Sequence, residues 1–334
     1  MKHLDISVVV CTYNRAEELY KALKSLIMQD GGNAFIYDII VVDDASTDHT
    51  EKIIRDIAGQ SKIPVKYILE EGRGIARARN RGISESTGEW IAFFDDDQIA
   101  ETDWLNQLIS AAKKTGADCV GGRMVLDLPS GEPLSTICRA IFGEMNYGDE
   151  PIECTRKKLL PSGGNILLRR SVIDTVGSFD EARIYGGEDH DFLARVCKQG
   201  LKMWSTPKAI VHHIIPAYRL KRNYLLWTSL RDGVNFAQND YKIEGQAKTI
   251  LYGIARLGQA LLINVPMLFW ARLTHNDDEA LGRRCLLTRC TGYTRRTLFY
   301  LLPYLFRQEK FFNRLEFRKE RTFASHQRKC IEHI

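Results

Sequence analysis

Trp90-Ile91-Ala92-Phe93-Phe94-Asp95-Asp96-Asp97 decides the reading of this chain. Its apolar half fits a short strand buried on both faces. That strand runs straight into three adjacent carboxylates, which repel one another. A strand end so crowded loses stability unless a cation offsets the charge. Mg²⁺ or Mn²⁺ takes one or two carboxylates and commonly shares its shell with substrate phosphates. In an extended segment Asp95 and Asp97 point to the same side, which suits one ion. A solvated acidic turn is the plainer alternative. It is disfavoured by position, because open α/β sheets bind ligands beyond the carboxyl ends of their strands.

Upstream, residues 5–11 (DISVVVC) form a second strand candidate, followed by the turn Thr12-Tyr13-Asn14-Arg15. Leu19, Leu23, Leu26 and Ile27 then recur at helical spacing over 16–29. A strand over 37–42 ends in Asp43-Asp44, a helix is predicted over 48–58, and a further strand over 65–69. After Gly72-Arg73-Gly74 a helix is expected over 74–86, with Arg73, Arg77 and Arg79 near its start. Alternating strands and helices specify a largely parallel sheet. Asp43-Asp44 is thus a second acidic strand end. Its carboxylates can accept from nucleobase N–H or ribose hydroxyls, or cap the next helix. The arginines can neutralise a diphosphate or simply face solvent.

Downstream, a helix over 103–115 and a strand near 118–125 continue the rhythm. Residues 126–160 interrupt it with Pro129, Gly131, Pro133, Gly143, Gly148 and Pro151, an irregular excursion of the kind that often carries function. Pro161-Ser162-Gly163-Gly164-Asn165 leads into a short strand, and one or two helical turns follow over 171–176. Glu188-Asp189-His190-Asp191 opens a helix reaching about 199, where acids also suit the free N–H groups of a helix start. A last strand over 203–211 ends at His212-His213, either of which can ligate a cation.

Six segments together resemble the inverting family 2 of nucleotide-sugar glycosyltransferases: SVVVCTYNR at 7–15, VVDDASTD at 41–48, GRGIARARNRGISESTGEWIAFFDDD at 72–97, GGNILLRR at 163–170, GSFDE at 177–181 and GGEDHDFLAR at 186–195. The resemblance covers roughly residues 5–215. It implies a GT-A fold, an open mixed α/β sheet flanked by helices, in a catalytic domain over 1–215. The Thr12-Tyr13-Asn14 turn would wrap the nucleotide, Asp44 would bind the base and Asp43 support it. Asp96 would lie near ribose or phosphate, with Asp95 and Asp97 holding Mn²⁺ or Mg²⁺ and Asp97 as principal ligand. His212 is a further metal candidate. Glu188-Asp189 matches the segment of the catalytic base, with Asp189 preferred and Glu188 its rival. Gly163, Gly164, Asn165 and Asp191 would shape the donor-sugar or acceptor pocket. Three acids where the family usually has two leave open which pair dominates. The Gln-x-x-Arg-Trp signature of processive synthases has no counterpart here, which points to transfer of one sugar at a time.

Bulk properties fit this picture. The 334 residues are 44% hydrophobic and 27% charged, ordinary for globular protein. The eight cysteines form no CxxC pair and no zinc-finger spacing, so structural thiols are expected. The first residues lack a secretory pattern, and a cytoplasmic location is expected, at the inner face of a membrane if the tail binds lipid.

Residues 216–334 differ in kind. They carry 21 Lys/Arg against 10 Asp/Glu, whereas 1–215 carry 26 against 32. Helices are predicted over 217–239, 246–263 and 280–305. The stretch 257–271 (LGQALLINVPMLFWA) holds no charge in 15 residues, short of the ~20 needed to span a bilayer. A helical C-terminal extension is expected that touches a membrane surface peripherally, packs on the catalytic domain, or joins copies into a homo-oligomer.

The expected partners are a nucleotide-diphosphate sugar and a glycan or lipid-linked acceptor. Nucleic acid is not expected, since the basic tail is Leu-rich rather than a phosphate-binding stripe. Two rival functions are a nucleotidyltransferase and a non-catalytic membrane-associated scaffold with a transferase-like domain. The former would want a Gly-rich loop with lysine where Thr12-Tyr13-Asn14-Arg15 stands. Against the latter stand three retained acidic clusters.

Overall fold

The computed structural model describes residues 5–31, 35–72, 74–129, 134–144, 148–155, 160–183 and 186–306. The chain divides into two compact units, Met1–Ala217 and Tyr218–Ile334.

In the first unit the elements run β1 (Ile6–Thr12), α1 (Ala16–Ile27), β2 (Tyr37–Asp43), α2 (Thr50–Gln60), β3 (Val65–Leu69), α3 (Ile75–Glu85), β4 (Trp90–Asp95), β5 (Gln98–Ala100), α4 (Trp104–Thr115), β6 (Cys119–Asp127), α5 (Thr136–Ile141), β7 (Ile152–Glu153), β8 (Asn165–Arg169), α6 (Arg170–Val176), α7 (Glu188–Lys198) and β9 (Met203–Ile214). The strands form one mixed sheet in the order β3-β2-β1-β4-β8-β6-β9-β5, with β7 also paired to β9. Strands β1 to β4 are mutually parallel, β8 runs against both β4 and β6, and β9 runs parallel to β6.

The near-continuous apolar runs are explained by burial on both faces. Val8, Val10, Ile39, Val41 and Phe94 pack with Leu19, Leu23 and Trp104 on one side. Val9, Ile91 and Phe93 pack with Ile83, Phe192 and Leu193 on the other.

Strand direction gathers one rim. The carboxyl ends of β1, β2 and β4 lie level, with Thr12 beside Asp43 and Cys11 beside Asp95. Antiparallel β8 begins at that rim, where Asn165 faces Phe94. Strand β9 ends there. It runs to Ile214, beyond the predicted end at residue 211, because β6 pairs with one edge of it as far as Asp127–Ile214 and β5 with the other through Gln98–His213 and Ile99–His212. Strand β5 itself was not expected. The chain turns at Asp96-Asp97 and re-enters the sheet for three residues.

The second unit contains α9 (Arg222–Glu244), preceded by the short helix α8 (Ala217–Leu220), then α10 (Gln246–Gln259), a π-helical turn at Ala260–Asn264, α11 (Val265–Leu273) and α12 (Asp277–Leu301). The apolar helix expected over 246–263 therefore continues to Leu273. Pro266 lacks an N–H and its ring crowds the carbonyl four residues back. The wider π turn just ahead of it accommodates both, so the helix is not ended there.

Helices α9 and α12 touch backbone to backbone. A Cβ on Gly233 would lie 2.0 Å from the Arg289 carbonyl oxygen, and one on Gly292 would lie 2.2 Å from that of Leu230. Backbone cannot swing aside as a side chain can. Gly292→Ala is expected to force the helices apart and to lower stability by about 1–3 kcal/mol, read from the urea midpoint of the full chain.

Candidate active site

The rim collects the acids that the sequence singles out, and the structure gives them unequal surroundings. Asp43 is buried. It accepts from the Ser46 backbone N–H at 2.9 Å and from the Tyr67 hydroxyl at 3.2 Å. Burial, then the nearby Asp43 carboxylate, pushes the Tyr67 phenol up to about 12. Asp43 therefore shapes the turn after β2. Asp44, half-buried, accepts from the Gly74 N–H at 3.0 Å and so ties this turn to the start of α3.

Asn14 adopts a left-handed conformation (φ 50°), donates its N–H to Ser46 Oγ, and accepts from the Thr47 N–H at 2.7 Å. Its side chain thus joins the first and second turns. Thr12 is buried at the end of β1 and Tyr13 is half-buried in the turn.

The three consecutive aspartates do not alternate as an extended segment would, because β4 ends at Asp95 and the next two residues turn. Arg15 gathers Asp96 and Asp97 on one guanidinium nitrogen, with Asp97 Oδ2 at 2.8 Å. Arg79 takes Asp95 at 3.3 Å and Glu188 at 2.9 Å. Its guanidinium also lies over the Phe93 and Phe179 rings, at 5.8 and 5.4 Å from their centroids. Of the two described arginines near the start of α3, Arg79 is the one that reaches the rim acids. Arg77 sits two residues, roughly 200°, around the helix and pairs with Glu181 at the surface. Arg73 lies outside the described residues. Arg15 was missed as a site residue; its signal was an arginine directly after the turn of a strand that neighbours the acidic one.

Burial is the largest influence on this centre. It pushes the Asp95, Asp96 and Glu188 carboxyls above their usual range. The Asp97 charge adds to the rise at Asp95 and Asp96, and Asp189 adds to it at Glu188. Arg79 opposes the rise at Asp95 and Glu188, and Arg15 opposes it at Asp96.

Gly163 and Gly164 are where the rim closes. A Cβ on Gly163 would stand 2.4 Å from Asp189 Cβ, and one on Gly164 would stand 2.0 Å from Asp95 Oδ2. Two bare backbone positions thus let the start of α7 and the end of β4 approach the same strand entrance. Within the acidic pair, Glu188 is buried with one oxygen on Arg79, while its other oxygen has no partner among the described residues. Asp189 is only half-buried and accepts from the His190 N–H.

Three expected site residues are placed differently. Asn165 is fully buried. Its oxygen accepts from Trp104 Nε1 at 2.8 Å and its amide donates to the Arg123 carbonyl at 3.1 Å, so it braces the core instead of lining a pocket. Asp191 is held between Arg183 at 2.9 Å and Arg195 at 3.0 Å and anchors α7. His212 faces Glu101 at 2.7 Å, and its neighbour His213 faces Asp97 at 3.6 Å. Adjacent strand residues point to opposite faces, so only one of the two histidines can look into the rim.

Asp97 and His213 supply oxygen and nitrogen donors side by side, and Asp95 is an acid of the same rim. No group of three His, Cys, Asp or Glu among the described residues is arranged to hold an ion unaided. That donor set fits Mg²⁺ or Mn²⁺ completed by water and a diphosphate, the usual habit of these ions.

A mixed sheet whose acidic rim could hold a cation and a nucleotide diphosphate defines the GT-A class of glycosyltransferase folds. The chain belongs to glycosyl transferase family 2, whose model matches residues 7–177. It is 31% identical to the glycosyltransferase AglE of Haloferax volcanii over 185 residues, 55% of this chain and 59% of AglE. It is 29% identical to the succinoglycan biosynthesis protein ExoM of Rhizobium meliloti, over 69% of this chain and 73% of ExoM. Among solved structures, GalNAc-T7 with UDP, GalNAc and Mn²⁺ superposes with a TM-score of 0.53 at 19% identity, covering 69% of this chain and 48% of that one.

Removing one partner of a buried ion pair leaves a charge uncompensated. Arg79→Met is therefore expected to cost about 3–5 kcal/mol, measured by urea unfolding of the full chain.

Proposed function

We propose that the chain moves one sugar from a nucleotide-diphosphate donor to an acceptor hydroxyl, with inversion at the anomeric carbon and with Mn²⁺ or Mg²⁺ bound. The supporting observation is the Gly163-Gly164 entrance, whose bare backbone brings Asp189 and Asp95 to one rim. A single displacement needs a base and a phosphate-binding acid that border one site, on opposite faces of the reacting carbon.

Asp189 is the base. It is the more exposed acid of its pair, whereas Glu188 is buried on Arg79. It takes the proton from the acceptor hydroxyl while that oxygen attacks the face opposite the leaving diphosphate. Glu188 and Arg79 are positioning residues that fix the start of α7 against the end of β4. Asp97, with His213 beside it and Asp95 near, would hold the cation. When bound, the cation stabilises charge on the leaving diphosphate. Asp43 and Asp44 set the two turns against which the base and ribose would rest, with the Thr12-Tyr13-Asn14 turn closing over them.

The acceptor is a glycan or a lipid-linked glycan. AglE carries the name glycosyltransferase and ExoM that of succinoglycan biosynthesis, which supports a role in glycan or polysaccharide assembly. The chain spans 59% of the length of AglE and 73% of that of ExoM.

Asp189→Asn should lower kcat by about 10²–10⁴-fold with nucleotide affinity unchanged, followed by released nucleotide across a donor panel and by calorimetry. Near wild-type turnover would remove Asp189 from this role. Asp97→Asn should instead abolish the Mn²⁺-dependent part of nucleotide affinity, seen by titrating nucleotide diphosphate with and without Mn²⁺.

A further inference from the structure

The second unit buries the wrong side of its most apolar helix for a protein surrounded only by water. From Gln246 to Leu273 the α10–π–α11 helix is long and apolar enough to cross a membrane, yet only 17% of its most apolar window is buried. The residues it does bury are Thr249, Gly253, Ala260, Asn264 and Ala271. Their spacings of four and seven mark a single stripe, made of small and polar side chains. Small residues at helix contacts and large apolar ones outside is the arrangement of helices packed in lipid. Leu262 is 80% exposed, Trp270 67%, Leu261 65% and Phe269 64%. A surface of this kind marks an interaction site. It continues into a groove of about 640 Å³ where Leu257 and Leu261 meet Leu298 and Leu305.

A spanning orientation is disfavoured. Asn264, at the centre of the uncharged 257–271 stretch, accepts from Arg283 of α12 at 3.1 Å. Spanning would carry that guanidinium to the centre of the hydrocarbon, where charge is most costly. The helix must instead lie along an interface, with its stripe on the protein and its broad face in the acyl region.

Charge selects the occupant. Arg222 and Arg272 are exposed, and Arg284 lies near both. Loss of solvent, followed by repulsion from these two, pushes the Arg284 guanidinium below its usual range. Three guanidiniums beside the Phe269–Trp270–Leu273 end of the apolar face suit lipid phosphates. A second copy docked through the same face would instead set Arg222, Arg272 and Arg284 against their own counterparts. We infer that this face docks the protein, without spanning, on a bilayer containing anionic phospholipid. The inference stands on the second unit alone and would survive a failure of the proposed chemistry.

Flotation of the full chain tests it, using phosphatidylcholine vesicles with and without phosphatidylglycerol. The wild type is expected to rise with the anionic vesicles, and brominated acyl chains should quench its tryptophan fluorescence. Leu262→Glu with Phe269→Glu changes only exposed side chains and should weaken vesicle binding about tenfold or more at unchanged circular dichroism. Arg222→Glu with Arg272→Glu should remove the preference for phosphatidylglycerol. Wild-type protein left at the bottom of both gradients, or floating without quenching, would overturn the inference. So would a Leu262/Phe269 variant that still floats but dissociates a dimer in light scattering, which would assign the face to a second copy.

Discussion

Arg79 is the constraint on which the rim is built. Its guanidinium is buried against two aromatic rings and reaches Asp95 at the end of β4 and Glu188 at the start of α7. These acids are 93 residues apart in sequence, and one rigid fork holds both. A lysine would offer a compact ammonium in place of the planar guanidinium, which spreads its donors over two nitrogens while lying over both rings. Desolvating a charge is expensive, and the two carboxylates together make burial of this one tolerable. They are themselves pushed toward protonation by the same burial. The centre is thus poised: it holds its shape with protein charges, yet its acids gain from any further cation.

Arg15 plays a parallel part at the next step along the rim. By holding Asp96 and Asp97 together it keeps the turn after β4 closed, and that turn sends the chain back into the sheet as β5. The pairing of β5 with β9 then sets His213 beside Gln98 and toward Asp97. Each local choice in this chain of contacts places a donor at the same edge.

The second unit follows another logic. Its helices meet through glycine and other small residues, which brings backbones into direct contact and turns large side chains outward. Burial there comes from close approach more than from a large apolar core. Such packing leaves Leu262, Phe269 and Trp270 exposed.

The sequence by itself determined the fold class. Short, continuous β-branched runs such as SVVVC and DIIVV, each ending in turn residues, read as strands covered on both faces, and the helices between them specify a parallel arrangement. It also determined where acids cluster, since adjacency in sequence is adjacency in space at a strand end. Tertiary structure alone decided which of those acids are structural and which line the rim. Asp191 and Asn165 look as available as Asp189 and Gly164 in a linear reading, but Trp104 arrives from a distant helix to claim Asn165, and the fold brings Arg183, from the loop before α7, to join Arg195 one turn along α7 in claiming Asp191. His212 and His213 are neighbours that point to opposite faces of a strand held in register between β6 and β5, and β5, three residues long, was too short to be foreseen. The broad exposure of the 246–273 helix was likewise hidden, because composition shows how apolar a helix is but not which side its neighbours leave uncovered. Partner choice is a long-range property, and only the folded chain fixes it.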